Sequence, residues 1–204
     1  MDKPARSARK AKGDGHLRRA EILEAAQRIF VEQGYEGATI RRIAEEVGVS
    51  STALYMHFKD KSEILVEICA IQFQALIDIN EALLAQEMDP VERVRRMLEG
   101  YFAFAFEHPN VYRLAYVSPP DAERGERLIS MGRRVFDTFA EGVRRIKEAG
   151  RLRAEHVDTA GKTLWSACHG LVSLVLTRPW FPWGDVKVLQ RGVLDAVFAG
   201  LTRP

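Results

Sequence analysis

Apolar residues recur along this chain at helical spacing almost from end to end. Ile22, Ala26, Ile29 and Phe30 fall on one face of a segment whose other face carries Glu21, Glu24, Arg28 and Glu32, which predicts a helix over 17–33 that Gly34 terminates. Two short periodic segments follow on either side of Gly48, with Ile43, Val47, Val49 and Leu54 available as a shared core. A long helix is expected over 61–86 on Ile64, Leu65, Ile68, Ile71, Leu76, Ile79 and Leu83. Asp89-Pro90-Val91-Glu92 opens the next with an acidic cap, proline at the first position and a glutamate behind it, and His108-Pro109 closes it. A short helix over 110–116, a break at Pro119-Pro120 and a long helix to Gly150 come next. Helices over 156–178 and 185–202, separated by PWFPWGD, complete the chain. The two-residue alternation of a half-buried strand is missing throughout, so the expected class is all-α: an N-terminal three-helix unit containing a helix-turn-helix, then a larger helical domain.

The segment over 39–61, TIRRIAEEVGVSSTALYMHFKDK, says most about function. Thr39 is an N-cap for the first short helix, Gly48 supplies the left-handed turn that ends it, and Ser50 is an N-cap for the second. Ala44, four residues before the turn, lets the two helices cross closely. The second helix begins with Ser51, Thr52 and Ala53, small side chains that let its leading turn approach base edges in a major groove. Tyr55, His57 and Lys61 can donate hydrogen bonds to phosphate, Arg41 and Arg42 add positive charge, and Phe58 anchors the segment inward. Asp60 and Glu63 form a D-x-x-E capping box at the head of the long helix. The chain therefore divides into an arm over 1–16, a DNA-binding unit over 17–61 and a helical body over 62–204. Turn spacing alone also suits a plain helical hairpin in an all-helical protein.

Residues 26–65 contain the string AxxIFxxxGYxxxTxxxIAxxxGVSxxxLYxHFxxKxxxL, read here as Ala26, Ile29, Phe30, Gly34, Tyr35, Thr39, Ile43, Ala44, Gly48, Val49, Ser50, Leu54, Tyr55, His57, Phe58, Lys61 and Leu65. In this, residues 17–65 resemble the DNA-binding domain of the tetracycline-repressor (TetR) family of bacterial transcription regulators. The resemblance implies that Ser50 to His57 form the recognition helix, with Thr39, Tyr55, His57 and Lys61 on phosphates. Ser51 and Thr52 stand where the family often has lysine and glycine, and Ala53 where threonine is common, so the operator sequence does not transfer.

Charge is uneven along the chain. Seven basic residues face two acidic ones among the first 19, a local +5, whereas the chain as a whole nets +2 and the remainder −3. The arm has Pro, Gly and Ser but no apolar run, and is expected to be flexible. It either tracks phosphates and a neighbouring minor groove or is a solvated tail. No apolar run suits a membrane span or a signal peptide, which points to the cytoplasm. In a reducing compartment Cys69 and Cys168, both in apolar stretches, are expected as buried free thiols.

The last two helices are apolar on more than one face. Leu164, Cys168, Leu171 and Val175 form one stripe, Trp165, Val172 and Leu176 another, and Leu189, Val193 and Val197 run beside Leu194, Phe198 and Leu201. The surplus face fits a twofold partner, giving a homodimer through these helices, an arrangement the resemblance also implies. Two recognition helices would then read a palindromic double-stranded operator with half-sites roughly 34 Å apart.

Tyr101, Phe102, Phe106, Tyr112, Tyr116, Phe136, Phe139 and Trp165, with His169 among them, concentrate aromatic surface in the middle helices. They either line a cavity for a small apolar or aromatic ligand or are ordinary core. WSACHGLVSL resembles a tryptophan-histidine-glycine segment in the C-terminal domains of one TetR subgroup, which suits a structural role for Trp165 and Gly170. The functional expectation is a ligand-released repressor, with a constitutive regulator or a helical enzyme as alternatives. The enzyme has little to stand on: Cys168 and His169 point about 100° apart on a helix, His16, His57, His108 and His156 are scattered, and no metal-ligand spacing, phosphate-binding glycine loop or cofactor motif appears.

Overall fold

The computed structural model describes residues 15–116 and 122–203. Residues 1–14 of the arm and the Pro119-Pro120 break lie outside the described residues. Among the described residues every regular element is helical: α1 Gly15–Gly37, α2 Ile40–Val47, α3 Ser51–Tyr55, α4 Lys61–Leu84, α5 Pro90–Glu107, α6 Pro109–Tyr116, α7 Ala122–Glu148, α8 Val157–Thr177 and α9 Val186–Leu201. The one departure is an isolated antiparallel bridge between Leu152 and Thr202.

The chain divides into two compact units, Met1–Ile68 and Cys69–Pro204. The boundary falls inside α4 rather than at the expected residue 61, because the first two turns of α4 bury Ile64, Leu65 and Ile68 and so belong to the first unit. There Ile22, Ala26, Ile29 and Phe30 from α1 join Ile43, Ala44, Leu54 and Phe58 in a common core. Gly34 interrupts α1 rather than ending it: its backbone adopts φ 71°, ψ 170°, a conformation costly for any residue with a Cβ, and three more residues of helix follow the kink. Capping at the head of α4 also differs slightly from a simple box. Asp60 Oδ1 accepts from Glu63 N at 2.8 Å, but the Glu63 carboxylate reaches one residue further back, to Lys59 N at 2.6 Å.

In the second unit the closest partnerships are α5 with α7, α7 with α8, and α8 with α9. Gly142 makes the α5–α7 approach possible: a Cβ there would stand 3.0 Å from Met97 Sδ and 3.1 Å from Val94 Cγ2. Asp89 caps α5 through Val91 N and Glu92 N, at 2.9 and 3.0 Å, and also pairs with Arg151. The Glu92 amide, followed by the Arg151 guanidinium, holds the Asp89 carboxyl below its usual range. Arg93 is buried, and its guanidinium accounts for three carbonyls in the last turn of α4 and just beyond it, those of Leu83, Gln86 and Met88 at 2.9, 2.7 and 3.3 Å. Arg145 takes the Leu84 carbonyl at 2.6 Å, so the end of α4 is closed by side chains from α5 and α7. At the C-terminus Arg153 N donates to Leu201 O and Arg203 N to Arg151 O, both at 2.8 Å, fastening the end of α9 to the α7–α8 connection.

Candidate nucleic-acid interface and a cavity in the helical body

In the first unit α2 ends on Gly48 at φ 74°, where Val49 N donates to Ala44 O at 2.9 Å and Gly48 N to Glu45 O at 3.1 Å, a Schellman closure. Thr39 Oγ1 accepts from Arg42 N, and Ser50 Oγ from Ala53 N, each at 3.1 Å. Both hydroxyls act as acceptors in these caps and keep their own protons for another acceptor, such as a phosphate oxygen. Leu54 is the buried face of α3; Thr52, Tyr55 and Met56 are exposed, and Ser51, Ala53 and His57 are partly so.

Arg41 and Arg42 are exposed and lean on Glu45 and Glu46 of the same helix, at 2.9 and 3.9 Å. Exposed helix pairs of this kind contribute only about 0.3–0.5 kcal/mol, so either guanidinium can exchange its carboxylate for a phosphate at little cost. The expected residues Thr39, Arg41, Arg42, Ser50, Ser51, Thr52, Ala53, Tyr55 and His57 are thus all at least partly accessible, and α2, α3 and the turn after it bring them together.

Lys61 is placed differently. Its Nζ turns back to the carbonyls of Tyr35 and Ala38, at 2.6 and 3.0 Å, and lies 4.1 Å from the Tyr35 ring centroid. Two of its three protons therefore tie the corner between α1 and α2, leaving at most one for a phosphate. Arg19 supports the same region from α1: it donates to His57 O at 2.5 Å, pairs with Glu67 at 3.3 Å and lies over Phe58 at 4.1 Å. Met56, 84% exposed just after the recognition helix, was absent from the residues expected at the interface. Its signal in the sequence was an apolar side chain beside the inward-facing Leu54 and Phe58 on a helix too short to have a second buried face.

The second unit holds a partly open cavity of about 370 Å³. Tyr101, Tyr116, Phe136, Phe139 and Trp165, five of the nine aromatic or histidine residues expected around a ligand, line it. Phe102, Phe106, Tyr112 and His169 do not. Phe102, one position on from Tyr101, is turned away and stacks with Phe106 at 6.5 Å between centroids. Tyr112 is fully buried behind the wall, where its hydroxyl and that of Tyr101 meet His169 Nδ1 at 3.0 and 2.9 Å. Both hydroxyls can donate only if the ring proton sits on Nε2. Burial pushes the His169 pKa down, and pushes the Tyr101 and Tyr116 phenols well above their usual range.

Sequence reasoning missed the wall from α4, Phe73, Leu76 and Asn80, and the aliphatic part from α7, Leu128 and Val135. Among the described residues of the lining, Lys162 is the one side chain charged at neutral pH. Asn80 is 3% exposed; its Nδ2 donates to Thr138 Oγ1 at 3.0 Å, and its Oδ1 has no hydrogen-bond partner. An unmet buried acceptor costs about 1–3 kcal/mol.

A short recognition helix held on two capped supports, with its small and polar side chains outward, defines the class as a helix-turn-helix DNA-binding protein. Comparison agrees at both ends of the chain. The model for "Bacterial regulatory proteins, tetR family" matches residues 22–68, and that for "Tetracyclin repressor-like, C-terminal domain" matches 94–196. The HTH-type transcriptional repressor AcnR of Corynebacterium diphtheriae is 33% identical over 190 residues, 89% of this chain and 90% of the relative. The nucleoid occlusion factor SlmA of Vibrio atlanticus is 31% identical over 187 residues, 91% and 94% of the two chains. A putative transcriptional regulator from Saccharomonospora viridis, solved in complex with choline, superposes with a TM-score of 0.82 at 23% identity, covering 93% of this chain and 100% of its own. The chain belongs to the TetR family of bacterial transcription regulators, which bind DNA and are not enzymes. No helix among the described residues is long and apolar enough to cross a membrane.

Proposed function

We propose that this regulator is a repressor that acts in the cytoplasm, binds a palindromic operator as a homodimer and leaves it when a small apolar or aromatic molecule fills the cavity. The observation that carries this reading is that one helix takes part in both units. The first turns of α4 are core of the DNA-binding unit, and Phe73, Leu76 and Asn80 further along the same helix are cavity wall. A ligand that prefers one position of that wall has a covalent route to the recognition helix, and linkage requires it to change operator affinity by its differential affinity for the two positions. Repression is supported by AcnR, which aligns over nearly the whole chain.

A twofold partner is supported by the outer faces of α8 and α9. Leu174 and Val188 are exposed, and Gly170 on α8 with Gly192 and Gly200 on α9 have open space where a Cβ would be. Glycine inside a helix costs about 0.5–1 kcal/mol relative to alanine, and nothing among the described residues requires it there, whereas close approach of a partner's helices would.

Selection of bound fragments from genomic DNA, followed by footprinting, tests the operator. A protected palindrome with half-sites one helical turn apart is expected; enrichment of nothing but nonspecific, salt-sensitive binding would sink the reading. A thermal-shift screen of apolar compounds, with operator release as the second readout, tests the sensor.

A further inference from the structure

We propose that the ligand of this cavity carries a single hydrogen-bond donor, an O–H or N–H on an otherwise apolar body, and that Asn80 Oδ1 receives it. The inference rests on the sensor reading above and deepens it. Which end of the Asn80 amide is available follows from its neighbour. Thr138 Oγ1 donates its one proton to Val135 O at 2.9 Å, so toward Asn80 it can only accept. The amide must present Nδ2 to Thr138, as it does at 3.0 Å, and its carbonyl oxygen is left over. That oxygen has no hydrogen-bond partner and almost no surface open to water, in bulk or in the cavity, while its residue stands in the wall of the 370 Å³ cavity. A ligand donor therefore reaches it through a small shift of the α4 wall, the same movement the sensor reading requires.

The rest of the wall makes the leftover acceptor decisive. Phe73, Leu76, Phe136, Phe139 and Trp165 offer apolar surface, Tyr101 and Tyr116 add phenol oxygens that are weaker acceptors than an amide carbonyl, and no carboxylate is among the described residues of the lining. A ligand with a donor in the wrong place would be desolvated without compensation. One whose donor meets Oδ1 removes two unmet groups at once, its own and the protein's. Sites of this kind reject an analogue lacking the donor more strongly than apolar contacts can.

The test is a two-by-two comparison by titration calorimetry on the full-length protein, using 4-butylphenol and 4-butylanisole, which differ by replacement of the hydroxyl proton with a methyl group. The wild-type protein is expected to prefer the phenol by about tenfold, a typical value for one buried hydrogen bond. In Asn80→Leu that preference is expected to vanish, with the anisole bound at least as well as before. Thermal unfolding of the variant is measured alongside. If Asn80→Leu does not fold, Thr138→Val serves instead: it frees the amide to turn, so the phenol preference should shrink as the anisole gains. Equal affinity of the wild type for both compounds would overturn the donor inference while leaving the sensor standing. Failure of either to bind, together with a negative compound screen, would overturn both.

Discussion

At the scale of single residues, the proposed interface separates groups placed to meet DNA from groups that hold them in place. Tyr55→Phe removes a donor from the exposed surface without disturbing the core; Thr39→Ala removes one together with the α2 cap, so its stability is measured beside its affinity. Each is expected to weaken binding to every duplex by a similar factor, whereas Thr52→Ala should change which duplex is preferred. Fluorescence anisotropy on a panel of operators at several salt concentrations checks this; altered sequence choice in the first two variants would contradict it. Lys61 belongs to the other kind. Because its ammonium closes the α1–α2 corner, Lys61→Met should lower the stability of the first unit by about 1–3 kcal/mol, and a calorimetric scan should show that loss alongside any loss of affinity. Spacing in the sequence placed Lys61 correctly along the chain but could not say which way its long side chain turns, since the Tyr35 and Ala38 carbonyls it meets are more than twenty residues away. His169 offers a residue-scale test of pH. Its pKa is lowered by burial, so the unfolded chain binds the proton more readily than the folded one. Stability from this group is therefore present above the unfolded value of about 6.5 and is lost as pH falls from there toward the folded value. His169→Gln, which keeps hydrogen-bonding capacity without titrating, should flatten the decline in Tm between neutral and mildly acidic pH.

Among the elements, caps and periodicity made most boundaries readable. Thr39, Ser50 and Asp89 all cap the helices whose starts they signalled, and His108 closes α5 as expected. What stayed hidden were contacts between elements far apart in sequence. Nothing local marks Arg93 as buried, because an arginine three residues into a helix reads as solvated surface until the ends of α4 and α5 are brought together. Arg93→Met should cost about 3 kcal/mol, since three carbonyls lose a charged donor in a place water reaches poorly, and denaturant unfolding would measure it. Arg96→Met, on the exposed side of the same helix, should cost almost nothing. The aromatic concentration was likewise visible as composition but not as geometry. Phe102 and Tyr101 are neighbours in sequence and stand on different sides of α5, and the contribution of α4 to the cavity came from Phe73, Leu76 and Asn80, which periodicity had assigned to no particular site. Gly142 is the matching case for close packing. Alanine there gains helix propensity while pressing on Met97 and Val94, so Gly142→Leu is the clearer test, with a loss of about 1–3 kcal/mol from overpacking expected on thermal unfolding.

For the whole molecule, assembly is the first thing to measure. Leu171 looked from sequence like an interface residue, yet the fold already buries it, so a charge at that position would test the monomer's core rather than a dimer. Ala196, exposed on the outer face of α9, is the better site: Ala196→Asp should leave the helical circular dichroism intact and halve the mass measured by light scattering at micromolar concentration. A wild-type protein that is already monomeric under those conditions would remove the twofold architecture. The two cysteines carry a different consequence. Cys69 and Cys168 are both buried, neither is in a disulfide, and desolvation pushes both thiols up to about 12. At neutral pH only about one thiol in 10⁵ is then a thiolate, and neither sulfur is within reach of a bulky oxidant. The two thiols of the native protein are therefore shielded from oxidants, and a colorimetric disulfide reagent can react only with molecules whose body has momentarily come open. Labelling becomes a clock that counts those openings, built into the wild-type sequence and needing no added probe. A molecule held in the cavity at a hundred times its Kd should slow that clock about a hundredfold, so occupancy could be timed without any knowledge of the operator.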